Sequence, residues 1–163
     1  METRSNVIAE AGTNERPRVL AVASGGGHWV QLLRLRPALE GCDVLFVTVN
    51  EAYRSDVAGE SFCVIPDATR WDRVRLVRMA VRLAWIMVRQ RPQVVISTGA
   101  APGYFAIRFG RLLGARTIWV DSIANIDRLS MSGQMVCGRA DLVLTQWPHL
   151  ARDGAPLYKG SVL

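Results

Sequence analysis

Short apolar runs alternate along the chain with longer segments of helical period. Val19–Ala23, Val44–Val49, Phe62–Ile65, Val94–Ser97, Thr117–Val120 and Leu142–Thr145 are rich in Val, Ile and Leu. They lack polar alternation, which is the pattern of strands covered on both faces. Helices are predicted between them over His28–Leu39, bent or shortened at Pro37, over Asp72–Gln90, over Pro102–Leu113 and, more briefly, near Ser132–Arg139. Pro102 suits a first helical turn and Gly114 the position just past a helix end. This alternation predicts an α/β fold, a single Rossmann-like domain with a doubly wound parallel sheet over residues 18–163. Ligands of such sheets gather at the carboxyl ends of the strands. Residues 1–17 are polar, lack the apolar stretch of a signal peptide, and read as a flexible tail.

The first predicted strand runs into Ser24, Gly25, Gly26, Gly27 and His28, and then into a helix. A strand, tight turn and helix start leave backbone N–H groups unpaired at the positive end of the helix, which suits a phosphate. Glycines permit the turn and the close approach of an anion. His28 adds a titratable ring that can donate to a phosphate or accept a proton. No Gly-Lys-Ser/Thr follows, so this is not a Walker loop. Val30 stands where a dinucleotide fingerprint has its third small residue, which weakens a nicotinamide reading. The alternative on the local pattern is that the glycines form only a tight βα turn.

Polar residues collect after the other strands as well. Ser97, Thr98 and Gly99 follow the fourth, Asp121, Ser122 and Asn125 the fifth, and Gln146, Trp147, Pro148 and His149 the sixth. Singly, each cluster reads as a capping loop, and Asp121 as a cap for the next segment. Together they mark one rim as the expected site, with Ser24 to Gly27, Ser97, Thr98, Gly99, Asp121 and Asn125 as phosphate and acceptor contacts.

Composition changes this picture in one place. The net charge is +6, and seven arginines against one aspartate lie between Arg70 and Arg91. At about 100° per residue, Arg75, Arg78, Arg82 and Arg89 fall within an arc of about 60°, flanked by Trp85, Met79 and Ile86. Two readings stay open: a core-packed helix with one solvated face, or a helix lying on an anionic membrane surface. Nucleic acid is disfavoured, because no aromatic-interleaved basic sheet or recognised motif is present. Three widely spaced cysteines, Cys42, Cys63 and Cys137, suit reduced thiols better than a disulfide framework. Neither an acidic cluster nor a zinc spacing calls for a metal, and no cofactor is expected.

Ser24-Gly25-Gly26-Gly27-His28, Ser97-Thr98-Gly99, Asp121-Ser122-Ile123-Ala124 leading to Ser132-Gly133, Ala140-Asp141, Gln146-Trp147-Pro148 and Tyr158-Lys159-Gly160-Ser161 occur in this order. This series resembles the acceptor-side subunit of split GT-B glycosyltransferases. That family includes the PssD-type exopolysaccharide subunits and the anchoring subunit of the dolichol-pathway N-acetylglucosaminyltransferase. It is more distantly similar to the N-terminal half of MurG. Members often carry Glu where Asp121 stands and an acid where His149 stands, and the eukaryotic subunit has an N-terminal membrane span. The resemblance implies a sugar transferred from a nucleotide-sugar donor, a UDP-sugar, to a polyprenyl-diphosphate-linked acceptor. It implies a separate donor-binding glycosyltransferase subunit, inactivity of this chain alone, and a peripheral place on the cytoplasmic face of the membrane. His28 is then the catalytic candidate, and Arg75, Arg78, Arg82, Trp85 and Arg89 form the membrane surface. The alternatives are a non-catalytic docking scaffold for the partner and a nucleotide-binding oxidoreductase.

Overall fold

The computed structural model describes residues 16–68 and 71–162. The expected tail therefore falls mostly on residues 1–15, outside the described residues, as does Arg70. Pro17, assigned to that tail, is already tied to the sheet through the N–H of Asp43, which donates to its carbonyl.

Among the described residues seven strands form one all-parallel sheet: β1 (Arg18–Val22), β2 (Asp43–Thr48), β3 (Ser61–Val64), β4 (Val94–Ser97), β5 (Arg116–Val120), β6 (Leu142–Thr145) and β7 (Leu157–Tyr158). Their order is β3-β2-β1-β4-β5-β6-β7. The first three end one residue earlier than the apolar runs suggest. Ala23 and Ile65 continue the buried pattern and still donate one hydrogen bond each to the neighbouring strand, but they no longer pair. β7 is two residues long, too short to leave a pattern.

The helices are α1 (Gly27–Arg34), α2 (Arg73–Gln90), α3 (Ala100–Leu112) and α4 (Met131–Val136), with 3-10 turns over Arg36–Leu39, Glu51–Val57 and Pro148–Leu150. α1 stops short of the predicted Leu39. Pro37 lacks an N–H and pushes Arg36 away from α geometry, so the chain continues as a tighter 3-10 turn. α2 begins where the Asp72 carboxylate accepts the N–H of Arg75 at 3.0 Å, a side-chain cap on an otherwise open helix end. It ends at Arg91, in the left-handed region and followed by Pro92.

Successive residues of a strand face opposite sides, and the two apolar layers follow from that. Leu20, Val22, Val47, Val95, Trp119 and Val143 pack under α2, α3 and α4. Val19, Ala21, Phe46, Ile96 and Val120 pack with Trp29 and Leu32 of α1. The strand order reverses between β1 and β4, because the chain runs outward through β2 and β3 and returns on the other side of β1. A crevice opens at the carboxyl ends of the strands at such a switch point.

Asp141 locks the amino-terminal edge of β6 onto β5. It accepts from the N–H and hydroxyl of Thr117 at 2.8 and 2.7 Å, and Arg111 lies 3.2 Å away. The Thr117 hydroxyl, then its N–H, hold the Asp141 carboxyl below its ordinary value of 3.8. A carboxyl depressed in the folded state contributes stability above its unfolded pKa and loses it as pH falls through the folded value. Asp141→Asn is expected to lower the melting temperature at pH 7 and to converge with wild type as pH falls through the lowered carboxyl pKa. A thermal-denaturation series across that range checks it, and equal melting temperatures at pH 7 would refute it.

Candidate functional site

The loops after β1 and β4 meet at the switch point through one reciprocal contact. Nδ1 of His28 lies 2.9 Å from the carbonyl oxygen of Thr98, and the Thr98 hydroxyl donates to the carbonyl of His28 at 2.7 Å. A carbonyl can only accept, so Nδ1 carries the proton and Nε2 of the neutral ring keeps its lone pair. The close approach needs Gly99, since a Cβ there would collide with the His28 ring, and the backbone at Gly99 has φ 146°. Ser97 and Thr98 are wholly buried. The Ser97 hydroxyl accepts the N–H of Gly99 at 3.3 Å and lies beneath Gly103. Both residues were expected to touch a ligand; here Thr98 bonds to His28, and Ser97 supports the Gly99 backbone beside it.

The glycine turn has a partner that the sequence does not advertise. Gly26 adopts φ 60° and donates its N–H to the Tyr53 hydroxyl at 2.9 Å. Tyr53 rides on the Glu51–Val57 turn and stacks on Trp29, with ring centroids 5.1 Å apart and 11° between planes. Trp29 in turn donates its indole N–H to Asp56 at 2.9 Å. The Thr48 hydroxyl donates to the carbonyl of Ser24 at 2.9 Å, tying the end of β2 to the same turn. One of the turn's donors is thus already engaged by a neutral hydroxyl.

Asp121 and Asn125 take different roles from those expected of them. Asp121 is 2% exposed, and its two oxygens accept from the Trp119 indole, the Asn125 amide, and the N–H and hydroxyl of Ser130. The distances run from 2.6 to 3.0 Å. The carboxylate is consumed in folding the 121–130 loop, and Asn125 is one of its donors. Gln31, buried on α1, donates to the carbonyls of Val120 and Asp121 and accepts from Ile123. From the far side, Gln146 donates to the carbonyl of Asp121, the Trp147 indole to that of Ile123, and the His149 ring meets that of Ile126. The Gln-Trp-Pro-His segment is a clamp on the neighbouring loop. Cys137, beneath that loop, has its thiol pushed up by burial and then by Asp121, which keeps it protonated at neutral pH.

α2 carries three faces. Met79, Leu83, Ile86 and Met87 enter the core, so Met79 and Ile86 do not flank an exposed stripe as the wheel suggested. Val74, Val77, Val81, Trp85 and Val88 form an apolar stripe between 53% and 71% exposed. The arginines lie beside it: Arg82 and Arg89 place their guanidinium carbons 4.8 and 5.7 Å from the Trp85 ring centre. Arg75 pairs with Asp72 at 3.1 Å, while Arg78, Arg82 and Arg89 have no carboxylate partner among the described residues. No helix of the described residues is long and apolar enough to cross a membrane.

The family described as "Oligosaccharide biosynthesis protein Alg14 like" matches residues 70–161, more than half of the chain. That span contains α2, the 121–130 loop and its clamp, while the glycine–histidine turn lies before it. The UDP-N-acetylglucosamine transferase subunit ALG14 of Yarrowia lipolytica is 27% identical over 140 residues, covering 82% of this chain. The chain spans 62% of that relative's length. Among solved structures, Acinetobacter baumannii MurG superposes with a TM-score of 0.72 at 14% identity, over 87% of this chain and 45% of MurG. A UDP-N-acetylglucosamine 2-epimerase from Rickettsia bellii gives 0.69 at 9% identity, over 90% and 45%. At such identities the structures share a fold, the Rossmann-like domain of GT-B proteins.

The His28–Thr98 contact fixes the histidine tautomer, and this is open to direct measurement. Nitrogen-15 shifts of the neutral imidazole are expected to show the proton on Nδ1. Thr98→Val, which removes the reciprocal hydroxyl bond, is expected to cost about 0.5–1.5 kcal/mol of stability and to mix the tautomers. A proton on Nε2 in the wild-type chain would contradict the assignment.

Proposed function

This chain belongs to the Alg14-like family of oligosaccharide biosynthesis proteins, and we propose that it is one subunit of a two-chain glycosyltransferase. The partner binds a nucleotide sugar, UDP-N-acetylglucosamine being the donor named for the ALG14 relatives. The chain described here presents a lipid-linked acceptor of polysaccharide assembly at the cytoplasmic face of a membrane. The observation that carries the reading is the free Nε2 of His28 at the β1–β4 switch point, held by a buried carbonyl. The described residues superpose on about half of MurG, and in our reading a second domain supplies the facing wall of the crevice.

In the assembled pair, an acceptor hydroxyl reaches Nε2 of His28. Its oxygen bonds to the anomeric carbon while Nε2 takes its proton, and the carbon–oxygen bond to the diphosphate breaks with the electron pair leaving on the diphosphate. General-base assistance of this kind contributes about 10²–10⁴-fold. Backbone N–H groups of the glycine turn that Tyr53 does not engage are placed to receive phosphate oxygens. Thr98, Ser97 and Gly99 act through His28 by holding its ring.

The exposed stripe of α2 supports membrane contact. Valines and Trp85 enter the acyl boundary, and the unpaired arginines meet anionic headgroups. A wholly polar face would suit a solvated helix, whereas five large exposed apolar residues on one side do not.

Two measurements test this reading. The chain alone is expected to show no sugar transfer, and the pair to lose turnover by ~10²-fold or more on His28→Ala with assembly intact. Unchanged turnover would leave the chain as a docking scaffold. Changing Arg75, Arg78, Arg82 and Arg89 together to Gln is expected to release the chain from anionic vesicles. Each basic residue contributes on the order of 1 kcal/mol at such a surface. Added salt is expected to have the same effect, with little change in melting temperature. Retained vesicle binding would transfer the membrane contact to the partner.

A further inference from the structure

The 3-10 turn over Glu51–Val57 is fastened at both of its ends. The Asn50 side chain accepts the N–H of Ala52 at 3.0 Å, and Val57, 1% exposed, enters the apolar layer shared with α1. Between those points the turn reaches the start of α1 at two places. The Tyr53 hydroxyl accepts the N–H of Gly26, and the Asp56 carboxylate accepts the indole N–H of Trp29, each at 2.9 Å. Gly26 and Trp29 lie on either side of His28 in the chain, so the turn grips α1 before and after the histidine.

The two grips work as one unit. The Tyr53 ring lies flat on the Trp29 indole, and Phe46 and Phe62 meet the same indole edge-on at 6.1 and 6.2 Å. Trp29 is wholly buried, so its N–H depends on Asp56, because a buried donor without an acceptor carries its full desolvation penalty. The main-chain carbonyl of Asp56 accepts from Arg36 at 3.1 Å, which ties the turn to the segment just past α1 as well. Gly26 is different. It is exposed, and water would satisfy its N–H without a protein partner. With φ at 60°, it is also a residue whose backbone has a wide choice of conformations. A hydroxyl fixed on that N–H removes the choice at the peptide from which the helix sets out.

We propose that Tyr53 and Asp56 are positioning residues for His28, acting through Gly26 and Trp29. Thr98 bonds the ring and the carbonyl of His28, and the turn sets the main chain from which that ring projects. The catalytic consequence rests on the reading of His28 as a general base, whereas the positioning itself does not. A base that must meet a substrate hydroxyl within hydrogen-bond reach loses rate steeply when its placement loosens.

Nitrogen-15 spectra of the intact chain read the His28 tautomer directly and need no transfer reaction. Tyr53→Phe keeps the stacked ring and removes only the hydroxyl. It is expected to lower the ratio of the Nδ1–H to the Nε2–H form about fivefold, the order of one net hydrogen bond. Asp56→Ala is expected to act in the same direction, and Asp56→Asn, which keeps an oxygen acceptor for the indole, to stay near wild type. Asp141→Asn, at the opposite end of the sheet, weakens the fold without touching the turn and is expected to leave the tautomer unchanged. In the assembled pair, Tyr53→Phe is expected to lower kcat about tenfold with KM little changed. A wild-type tautomer ratio in both folded Tyr53→Phe and folded Asp56→Ala overturns the proposal, and Tyr53→Phe alone decides if Asp56→Ala does not fold. An equal change in Asp141→Asn or in Asp56→Asn also overturns it. If the tautomer responds as expected but the wild-type pair transfers no sugar, the general-base reading fails and the positioning stands.

Discussion

Much of the rim depends on one buried carboxylate. Asp121 sits at 2% exposure with four donors around it. Burying an ionised carboxyl without such donors would cost far more than a domain of this size can spare. The four bonds therefore constrain everything that supplies them. Trp119 is fixed from below, Ser130 is fixed at the start of α4, and Asn125 is drawn inward. Gly133 must stay a glycine because a Cβ there would collide with the carboxylate. Gln31 and Gln146 add the complementary constraint by taking the main-chain carbonyls on either side. The loop is thus held both by its own Asn125 and Ser130 and by Gln31, Trp119 and Gln146 from the elements around it.

The rim divides into two halves with different physical character. On the β5–β6 side, buried amides and the Asp121 carboxylate leave little freedom, as expected of a fully paired polar network. On the β1–β2 side, contact is made by aromatic stacking and by single hydrogen bonds, one accepted by Tyr53 and one donated by Thr48. His28 stands between them, fastened to Thr98 and so to the interior strand β4. The outward ring of His28 is thus carried by the sheet's centre rather than by either flanking loop.

Most of the architecture was legible in the sequence because buried parallel strands write continuous apolar runs. Val94–Ser97 and Leu142–Thr145 were read to the residue. The helix boundaries were less legible, and Pro37 shows why: it signals an end without saying that a 3-10 turn takes over. The site divided along a different line. His28 stood out as a candidate because it follows three glycines at a strand end, but the Thr98 contacts that orient its ring left no sequence signal. Asp121, Asn125, Ser97 and Thr98 were visible as polar rim residues, but their work is internal. Whether a carboxylate meets ligand or indole depends on contacts that no local pattern encodes. Tyr53 and Gln31 left no local mark at all, one sitting in an unremarkable turn and the other inside an amphipathic helix. On α2 the arc of arginines was clear, whereas the valine stripe was hidden among other apolar positions until the core side was fixed.

The direction in which α2 runs sets the posture of the molecule. Being the crossover from β3 to β4, it must travel back against the strands. Its last residues reach the opposite edge of the sheet, where the Arg18 side chain donates to the carbonyl of Arg91 at 3.3 Å. An 18-residue helix is about 27 Å long. If that length lies flat on a bilayer, the strands packed against it lie nearly level as well, and the crevice at their tips opens sideways along the surface rather than away from it. A second domain closing that crevice would then approach by sliding in the plane of the membrane. On that membrane reading, such an encounter would be confined to two dimensions.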